Sequence, residues 1–160
     1  MHYSRYFLFS STCYTFSIYQ SLSNPCSMSS QSSGHKVAII GAGNVGAAAA
    51  YALTLKNVAA QVLLIDMNEK KEAGEVMDIA DGLCYVDTGC VQGADFSDAR
   101  DADVIVITAG ARQAPGETRL DLVEKNKQVM RSIFRSIGKL KKTAVVVVVS
   151  NPVDVITHFI

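Results

Sequence analysis

The sequence has few of the residues that mark several common protein classes. It contains no tryptophan, three prolines, three histidines and four cysteines among 160 residues. The cysteines, at positions 13, 26, 84 and 90, include no C-x-x-C pair and have no adjacent histidine, which argues against a zinc site and against a disulfide framework. We therefore expect buried, reduced thiols, as is usual in cytoplasmic proteins.

An excess of charge of either sign is also missing. Lys and Arg total 15, as do Asp and Glu, so the composition gives no basis for binding nucleic acid or an acidic membrane surface. No apolar run approaches the roughly 20 residues of a membrane-spanning helix. Hydrophobic residues make up 49% of the chain and charged residues 19%, which is typical of a globular domain with its own core.

Residues 1–34 differ in composition from the rest of the chain. They are rich in Ser, Tyr and Phe, they contain no acidic residue, and Arg5 is their one Lys or Arg. The segment lacks the apolar core of a secretory signal and the several arginines of a transit peptide, although its Ser-rich, acid-poor composition keeps organelle targeting as an alternative. We expect a disordered extension, or a spurious one ahead of a true start at Met28.

From residue 35 onward, strand and helix patterns alternate. The strand patterns are not amphipathic, which is typical of a parallel sheet with helices on both faces. The predicted fold class is α/β, a doubly wound parallel (Rossmann) sheet over residues 35–160. The predicted strands are 36–40, 61–65, a short one near Val91, 103–108 and a buried one at 143–149; the predicted helices are 47–55, 69–83, about 120–141, and one starting at Val155.

The segment Gly41-Ala-Gly-Asn-Val-Gly46 fits G-x-G-x-x-G between the first predicted strand and helix. In this context Gly41 makes a tight turn, Gly43 lets a pyrophosphate approach the backbone, and Gly46 lets the helix pack closely. The N–H groups of the helix start, at Asn44 and Val45, suit phosphate oxygens.

An acidic residue, Asp66, ends the second strand 20 positions after Gly46. A carboxylate there accepts hydrogen bonds from ribose hydroxyls and repels the extra phosphate of NADP. The motif and this residue together predict NAD as the cofactor. Lys71 is a further candidate at the adenosine end, with a solvated helix charge as the alternative.

Four features in order, Gly41–Gly46, Asp66, the loop Ala109–Arg119 and Ser150–Asp154, make the chain resemble the L-lactate/malate dehydrogenase family. The resemblance covers residues 35–160 and implies that the chain is truncated before the family's substrate domain. The resemblance implies an NAD-dependent oxidoreductase that transfers hydride between lactate and pyruvate. It also implies that residues 112–119 form a mobile lid, in which Arg119 polarises the substrate carbonyl, and that Arg112 contacts the cofactor phosphates.

The same resemblance implies roles for Gln113 and Asn151. Malate dehydrogenases place Arg where this chain has Gln113, to meet a second substrate carboxylate, so Gln113 favours pyruvate and lactate. Asn151 is expected to bind the substrate oxygen and to lie near the nicotinamide. The further cofactor contacts expected are Thr108, Ala109, Gly110, Val149 and Ser150.

The family's His general acid/base and its second, substrate-binding Arg have no counterpart in this sequence. His2, His35 and His158 are the histidines present, and none lies in a Gly-flanked motif. We therefore expect this chain alone to bind NAD without efficient turnover. The alternatives are a malate dehydrogenase and a non-catalytic NAD-binding fragment; the family further implies a cytoplasmic homotetramer with no nucleic-acid or membrane partner.

Overall fold

The computed structural model describes residues 34–85 and 89–160. Within these residues a five-stranded sheet is flanked by four α-helices and two short 3-10 helices. The strands are β1 (Lys36–Ile40), β2 (Gln61–Ile65), β3 (Val91–Gly93), β4 (Val104–Ile107) and β5 (Val145–Val148). The helices are α1 (Asn44–Leu55), α2 (Glu69–Asp81), α3 (Arg119–Ile137) and α4 (Val153–Phe159), and the 3-10 helices are Gly82–Tyr85 and Phe96–Asp101.

All strand pairs are parallel, in the order β3-β2-β1-β4-β5. This confirms the predicted doubly wound sheet, since the chain moves outward from β1 in one direction and then returns to β4 on its other side. The expected extension at residues 1–34 lies almost wholly outside the described residues.

Alternate residues of the central strands enter two separate cores. Ile40 and Ile65 pack with Met130 and Ile133 of α3 on one face, whereas Ile39 and Leu64 contribute to the core on the opposite face, with Ala50 of α1 and Ile79 of α2. Both faces of β1 and β2 are therefore covered, which explains why these strands carry no polar alternation.

The last strand differs from its prediction. The residues of β5 that point toward α3 and α4 are partly buried, but Val145 and Val147 on the other face are 57% and 42% exposed. The reason is position, because β5 is an edge strand and none of the described helices covers this face. The expectation of a fully buried strand at 143–149 is therefore wrong for one face.

Three further details correct the predictions. α3 ends at Ile137 rather than near Lys141, because Gly138 has φ +78°, a left-handed conformation that stops the helix. The 3-10 helix Phe96–Asp101 was not predicted. Cys90 is buried and disulfide-bonded, so the expectation of a reduced thiol is wrong at this position.

Side chains cap the starts of α2 and α3. Asn68 caps α2 by accepting from the Lys71 N–H, and Thr118 with Asp121 forms a capping box at the start of α3. Across the described part of the chain, no helix combines the length and apolar character needed to cross a membrane.

The amino-terminal edge of the sheet is tied together by Asp103. Its carboxylate accepts from the Lys36 N–H at 3.0 Å, contacts the Lys141 ammonium and lies 3.6 Å from the His35 Nδ1. The Lys141 contact and then the Lys36 N–H lower the pKa of Asp103 from 3.8 to about 2. The ionised carboxylate thus joins β1 to β4 and to the segment before β5.

We expect Asp103→Asn to lower the urea midpoint of unfolding at pH 7. The folded-state pKa is depressed, so the stabilisation is present above about pH 4 and is lost as the pH falls toward 2. Between about pH 4 and pH 2, the urea midpoint of the unmodified chain should therefore fall more steeply than that of Asp103→Asn. Asp101→Asn, at a nearby exposed position, is the control and should change the pH 7 midpoint less. If the midpoint fell equally steeply with pH in the unmodified chain and in Asp103→Asn, the stabilising role of the Asp103 carboxylate would be contradicted.

Candidate functional site

Two glycines of the turn between β1 and α1 are required by its shape. Gly41 has φ +111°, and a Cβ there would lie 2.7 Å from the Ala109 nitrogen. A Cβ at Gly46 would lie 1.8 Å from the Gly41 carbonyl oxygen. The positive φ and the close approach of Ala109 therefore exclude a side chain at Gly41, and the packing of the first turn of α1 on the end of β1 excludes one at Gly46.

The middle glycine, Gly43, is different. A Cβ built on it would meet only the Lys71 Nζ, at 4.0 Å, so the protein itself has no need of glycine here. The space in front of Gly43 belongs to a cleft and lies beside the first N–H groups of α1, which no side chain among the described residues caps. This is the arrangement expected where the backbone approaches a bound anion.

Asp66, at the end of β2, faces this turn. Its Oδ2 accepts from the Ala42 N–H at 2.7 Å and its Oδ1 from the Asn68 N–H at 2.9 Å. Each carboxylate oxygen keeps a lone pair for a further donor. The structure thus brings the turn of residues 41–46 and Asp66 together through a direct hydrogen bond.

A cleft of about 1190 Å³, here called the large cleft, runs along the carboxyl ends of β1, β2, β4 and β5. Its charged lining residues are three cations, Lys71, Arg112 and Lys125, and one anion, Asp66. The predicted site residues in its lining are Gly41, Gly43, Asn44, Val45, Gly46, Asp66, Lys71, Thr108, Ala109, Gly110, Arg112, Ser150 and Asn151.

A smaller cleft of about 520 Å³, here called the acidic cleft, shares Asp66, Met67 and Phe96 with the large cleft. It has the opposite charge: five of its nine lining residues are carboxylates and none is basic, namely Asp66, Glu69, Glu72, Asp95 and Asp98. An anionic ligand in the large cleft therefore meets positive potential along its length and negative potential at the Asp66 end.

The segments after β4 and β5 are held together beside the large cleft. Thr108 Oγ1 donates to the Gly41 carbonyl at 2.9 Å, and Ser150 Oγ donates to the Ala109 carbonyl at 2.6 Å. Because the Ser150 hydroxyl is used in this way and is buried, only its backbone faces a ligand. These bonds bring Asn151 into the lining of the cleft.

Gln113, Arg119 and Val149 are not among the residues that line the large cleft. Gln113 Nε2 donates to the Glu117 carbonyl at 2.8 Å, within its own exposed loop. Arg119 is the exposed first residue of α3. The structure thus brings the predicted cofactor residues together, apart from Val149, and leaves two of the three predicted substrate residues outside the cleft.

The sequence predictions missed the contribution of α3, above all Asn126. This residue is 1% exposed; its Oδ1 accepts from the Ala111 N–H and its Nδ2 donates to the Asn151 carbonyl, both at 2.7 Å. Asn126 therefore joins the loop bearing Arg112 and Gln113 to the segment bearing Asn151. The available signal was a lone amide on the stripe Leu122, Asn126, Val129, Ile133.

Asn126→Leu should destabilise the chain by about 1–2 kcal/mol, because it removes both hydrogen bonds of a buried amide, to the half-buried Ala111 N–H and to the carbonyl of the exposed residue Asn151. Urea unfolding measures this effect. Gln128→Leu, two residues along the same helix on an exposed position, is the control and should change stability by less than about 0.5 kcal/mol. If Asn126→Leu unfolded at the same urea midpoint as the unmodified chain, the two hydrogen bonds of Asn126 would contribute nothing to stability.

Comparison with known proteins agrees with this geometry. Residues 35–160 match the family model described as lactate/malate dehydrogenase, NAD binding domain. An L-lactate dehydrogenase of Clostridium botulinum (strain Loch Maree / Type A3) is 46% identical over 123 residues, which is 77% of this chain and 39% of that protein. The chain thus spans about two fifths of the length of the curated relatives it matches.

Solved structures give the same result. The minor L-lactate dehydrogenase of Enterococcus mundtii superposes with a TM-score of 0.75 at 37% identity, covering 80% of this chain and 41% of that one. The lactate dehydrogenase of Eimeria maxima, solved with NADH and oxamate, superposes with a TM-score of 0.70 at 29% identity, covering 82% and 40%. The chain belongs to the lactate/malate dehydrogenase family, and residues 35–160 correspond to its NAD-binding domain.

Proposed function

We propose that NAD binds in the large cleft, with its diphosphate on the turn Gly41–Gly46 and its adenosine ribose on Asp66. The observation that carries this proposal is the hydrogen bond from the Ala42 N–H to Asp66 Oδ2, which fixes a sugar-binding carboxylate beside a phosphate-binding turn. NAD(H), when bound, supplies the hydride acceptor or donor.

Different residues of the chain bind different parts of the cofactor. The free N–H groups at Asn44 and Val45, with the Lys71 and Arg112 side chains, neutralise the diphosphate. The backbone of Thr108–Gly110 and of Val149–Asn151 follows the ends of β4 and β5, where the nicotinamide half would lie. Both walls of this region are fixed by Ser150 and Asn126, so the backbone there is preorganised.

We propose that the enzyme containing this domain interconverts lactate and pyruvate. Gln113, a neutral amide, carries the substrate preference, because it tolerates a methyl group and cannot pair with a second carboxylate. Asn151 orients the substrate oxygen, and Arg119 polarises the carbonyl. Since Gln113 and Arg119 stand outside the cleft, residues 112–119 must close over it before reaction.

The chemistry of the Gln113–Glu117 loop is consistent with such a movement. Within the loop, Gln113 Nε2 donates to the Glu117 carbonyl, the Ala114 N–H donates to Glu117 Oε2, and the Glu117 N–H donates to the Ala114 carbonyl; Glu117 also forms an ion pair with Lys125 of α3. Gly116, at φ +83°, supplies the turn. The two side-chain hydrogen bonds lie at an exposed surface, where each contributes little net stability, whereas the Glu117 side chain in the ion pair is 10% exposed.

Two alternatives stay within the family and the fold. The family includes malate dehydrogenases, for which oxaloacetate would replace pyruvate as acceptor. A non-catalytic NAD-binding role is the second, because the described residues include no histidine in the large cleft. For the enzyme as a whole, the family resemblance favours a cytoplasmic homotetramer.

Gly43→Ala tests the cofactor site. The new methyl group meets no protein atom closer than 4.0 Å, so the fold should persist, yet it would occupy the space assigned to the diphosphate. We expect at least a tenfold loss of NADH affinity, measured by nicotinamide fluorescence during titration of the purified chain.

Gly74→Ala is the matched control, since a Cβ there also meets nothing within 4 Å but the residue lies on α2 outside the large cleft. It should bind NADH as the unmodified chain does. If Gly43→Ala kept wild-type affinity, the diphosphate would have to lie elsewhere.

Substrate preference is tested in a domain exchange in which this chain's matching segment replaces the 123 matched residues of the C. botulinum enzyme. NADH oxidation should be faster with pyruvate than with oxaloacetate. Gln113→Arg should shift the ratio of the two kcat/KM values toward oxaloacetate by at least tenfold, because Arg pairs with the second carboxylate. A preference for oxaloacetate without the substitution would favour the malate alternative.

A further inference from the structure

Glu72 is a partly buried carboxylate that none of the roles above uses. It lies on the first turns of α2, and its Oε2 accepts from the Asp66 N–H at 2.8 Å. Asp66 is therefore held at both ends: Ala42 and Asn68 hold its carboxylate, and Glu72 holds its backbone. A change at Glu72 would reach the ribose site through a single hydrogen bond.

The environment of Glu72 shows that the chain accommodates this carboxylate at some cost. Burial raises its pKa above 4.5, against the opposing effect of the Asp66 and Ala94 N–H groups, and the neighbouring Asp66 and Asp95 add to the rise. Opposite it stands Gly93, where a Cβ would lie 2.4 Å from Glu72 Oε1. The absence of a side chain at position 93 leaves room for the Glu72 carboxylate.

Glu72 and Asp66 both line the acidic cleft, together with three further carboxylates and no cation. This is the end of the large cleft at which the adenosine ribose is placed by the proposed function, on which the present inference rests. A phosphate on the ribose 2′ oxygen would add about 1.5–2 negative charges beside this cluster. Like charges that share a cleft partly shielded from water repel each other more strongly than they do in bulk water.

We propose that Glu72 is a specificity-determining and positioning residue that makes the site select NAD over its 2′-phosphorylated form. It acts in two ways: its hydrogen bond fixes the Asp66 backbone, and its charge adds to that of Asp66 against a 2′-phosphate. Asp66 alone would supply one charge, held through its carboxylate by Ala42 and Asn68, whereas the pair supplies two charges and a further hydrogen bond to the Asp66 backbone.

Two variants separate charge from position. Glu72→Gln keeps an oxygen that accepts from the Asp66 N–H but removes the charge, so NADPH should bind more tightly while NADH affinity changes little. Gly93→Ala keeps the charge but displaces the carboxylate, so NADH should bind more weakly while NADPH affinity changes little. In each case the ratio of the NADPH to the NADH dissociation constant should fall, by about tenfold for Glu72→Gln.

The experiment titrates the 160-residue chain and both variants with NADH and with NADPH, following nicotinamide fluorescence, with circular dichroism to confirm folding. Glu75→Gln is the matched control, because Glu75 lies on the same helix but outside the linings of both clefts, and its ratio should equal that of the unmodified chain. A purely structural role for Glu72 would weaken both ligands in proportion and leave the ratio unchanged.

The outcomes distinguish a failure of the proposed role of Glu72 from a failure of the proposed cofactor site. If the unmodified chain binds NADH and a folded Glu72→Gln or Gly93→Ala variant keeps the ratio within twofold of it, the role of Glu72 is overturned and the proposed cofactor site stands. If the unmodified chain binds neither nucleotide, the proposed function fails and the role of Glu72 falls with it.

Discussion

The hydrogen bond between the Ala42 N–H and the Asp66 carboxylate is the contact on which the rest of the site depends. It joins the turn after β1 to the end of β2, two strands that are neighbours in the parallel sheet. The turn alone could bind any anion and the carboxylate alone any hydroxyl group. Held together, they define the spacing of a phosphate and a sugar, which is the chemistry of a dinucleotide.

A second constraint is the opposite charge of two adjoining clefts. Three cations line the large cleft and five carboxylates line the acidic cleft, although the chain as a whole has no net charge. A net charge of zero gives no reason to expect a large surface of one charge, but positive and negative residues can still be separated locally. Folding supplies that separation by bringing together residues from α2, α3, the Phe96–Asp101 3-10 helix and the loop after β4.

Asn126 shows how a scaffold residue supports a functional surface. Asn126 is not itself proposed to contact the substrate, but the two hydrogen bonds of its side chain hold together the loop that carries Arg112 and the segment that carries Asn151. The same sheet end is closed by Thr108 and Ser150. The ends of β4 and β5, where the nicotinamide is proposed to lie, are thus held by several hydrogen bonds, in contrast to the exposed loop that carries Gln113.

The sequence alone determined the fold and the placing of the Gly41–Gly46 turn beside Asp66, because both depend on local patterns. Uniformly apolar strands, helix spacing, the Gly41–Gly46 turn and an acid at the end of β2 are each visible within a few residues, and parallel topology then brings them to one edge. Only the tertiary structure decided the roles of Asn126 and Glu72, the exposure of β5 and the place of Gln113 outside the cleft. These depend on which distant segment lies opposite a side chain, and the spacing of residues along the chain does not contain that information.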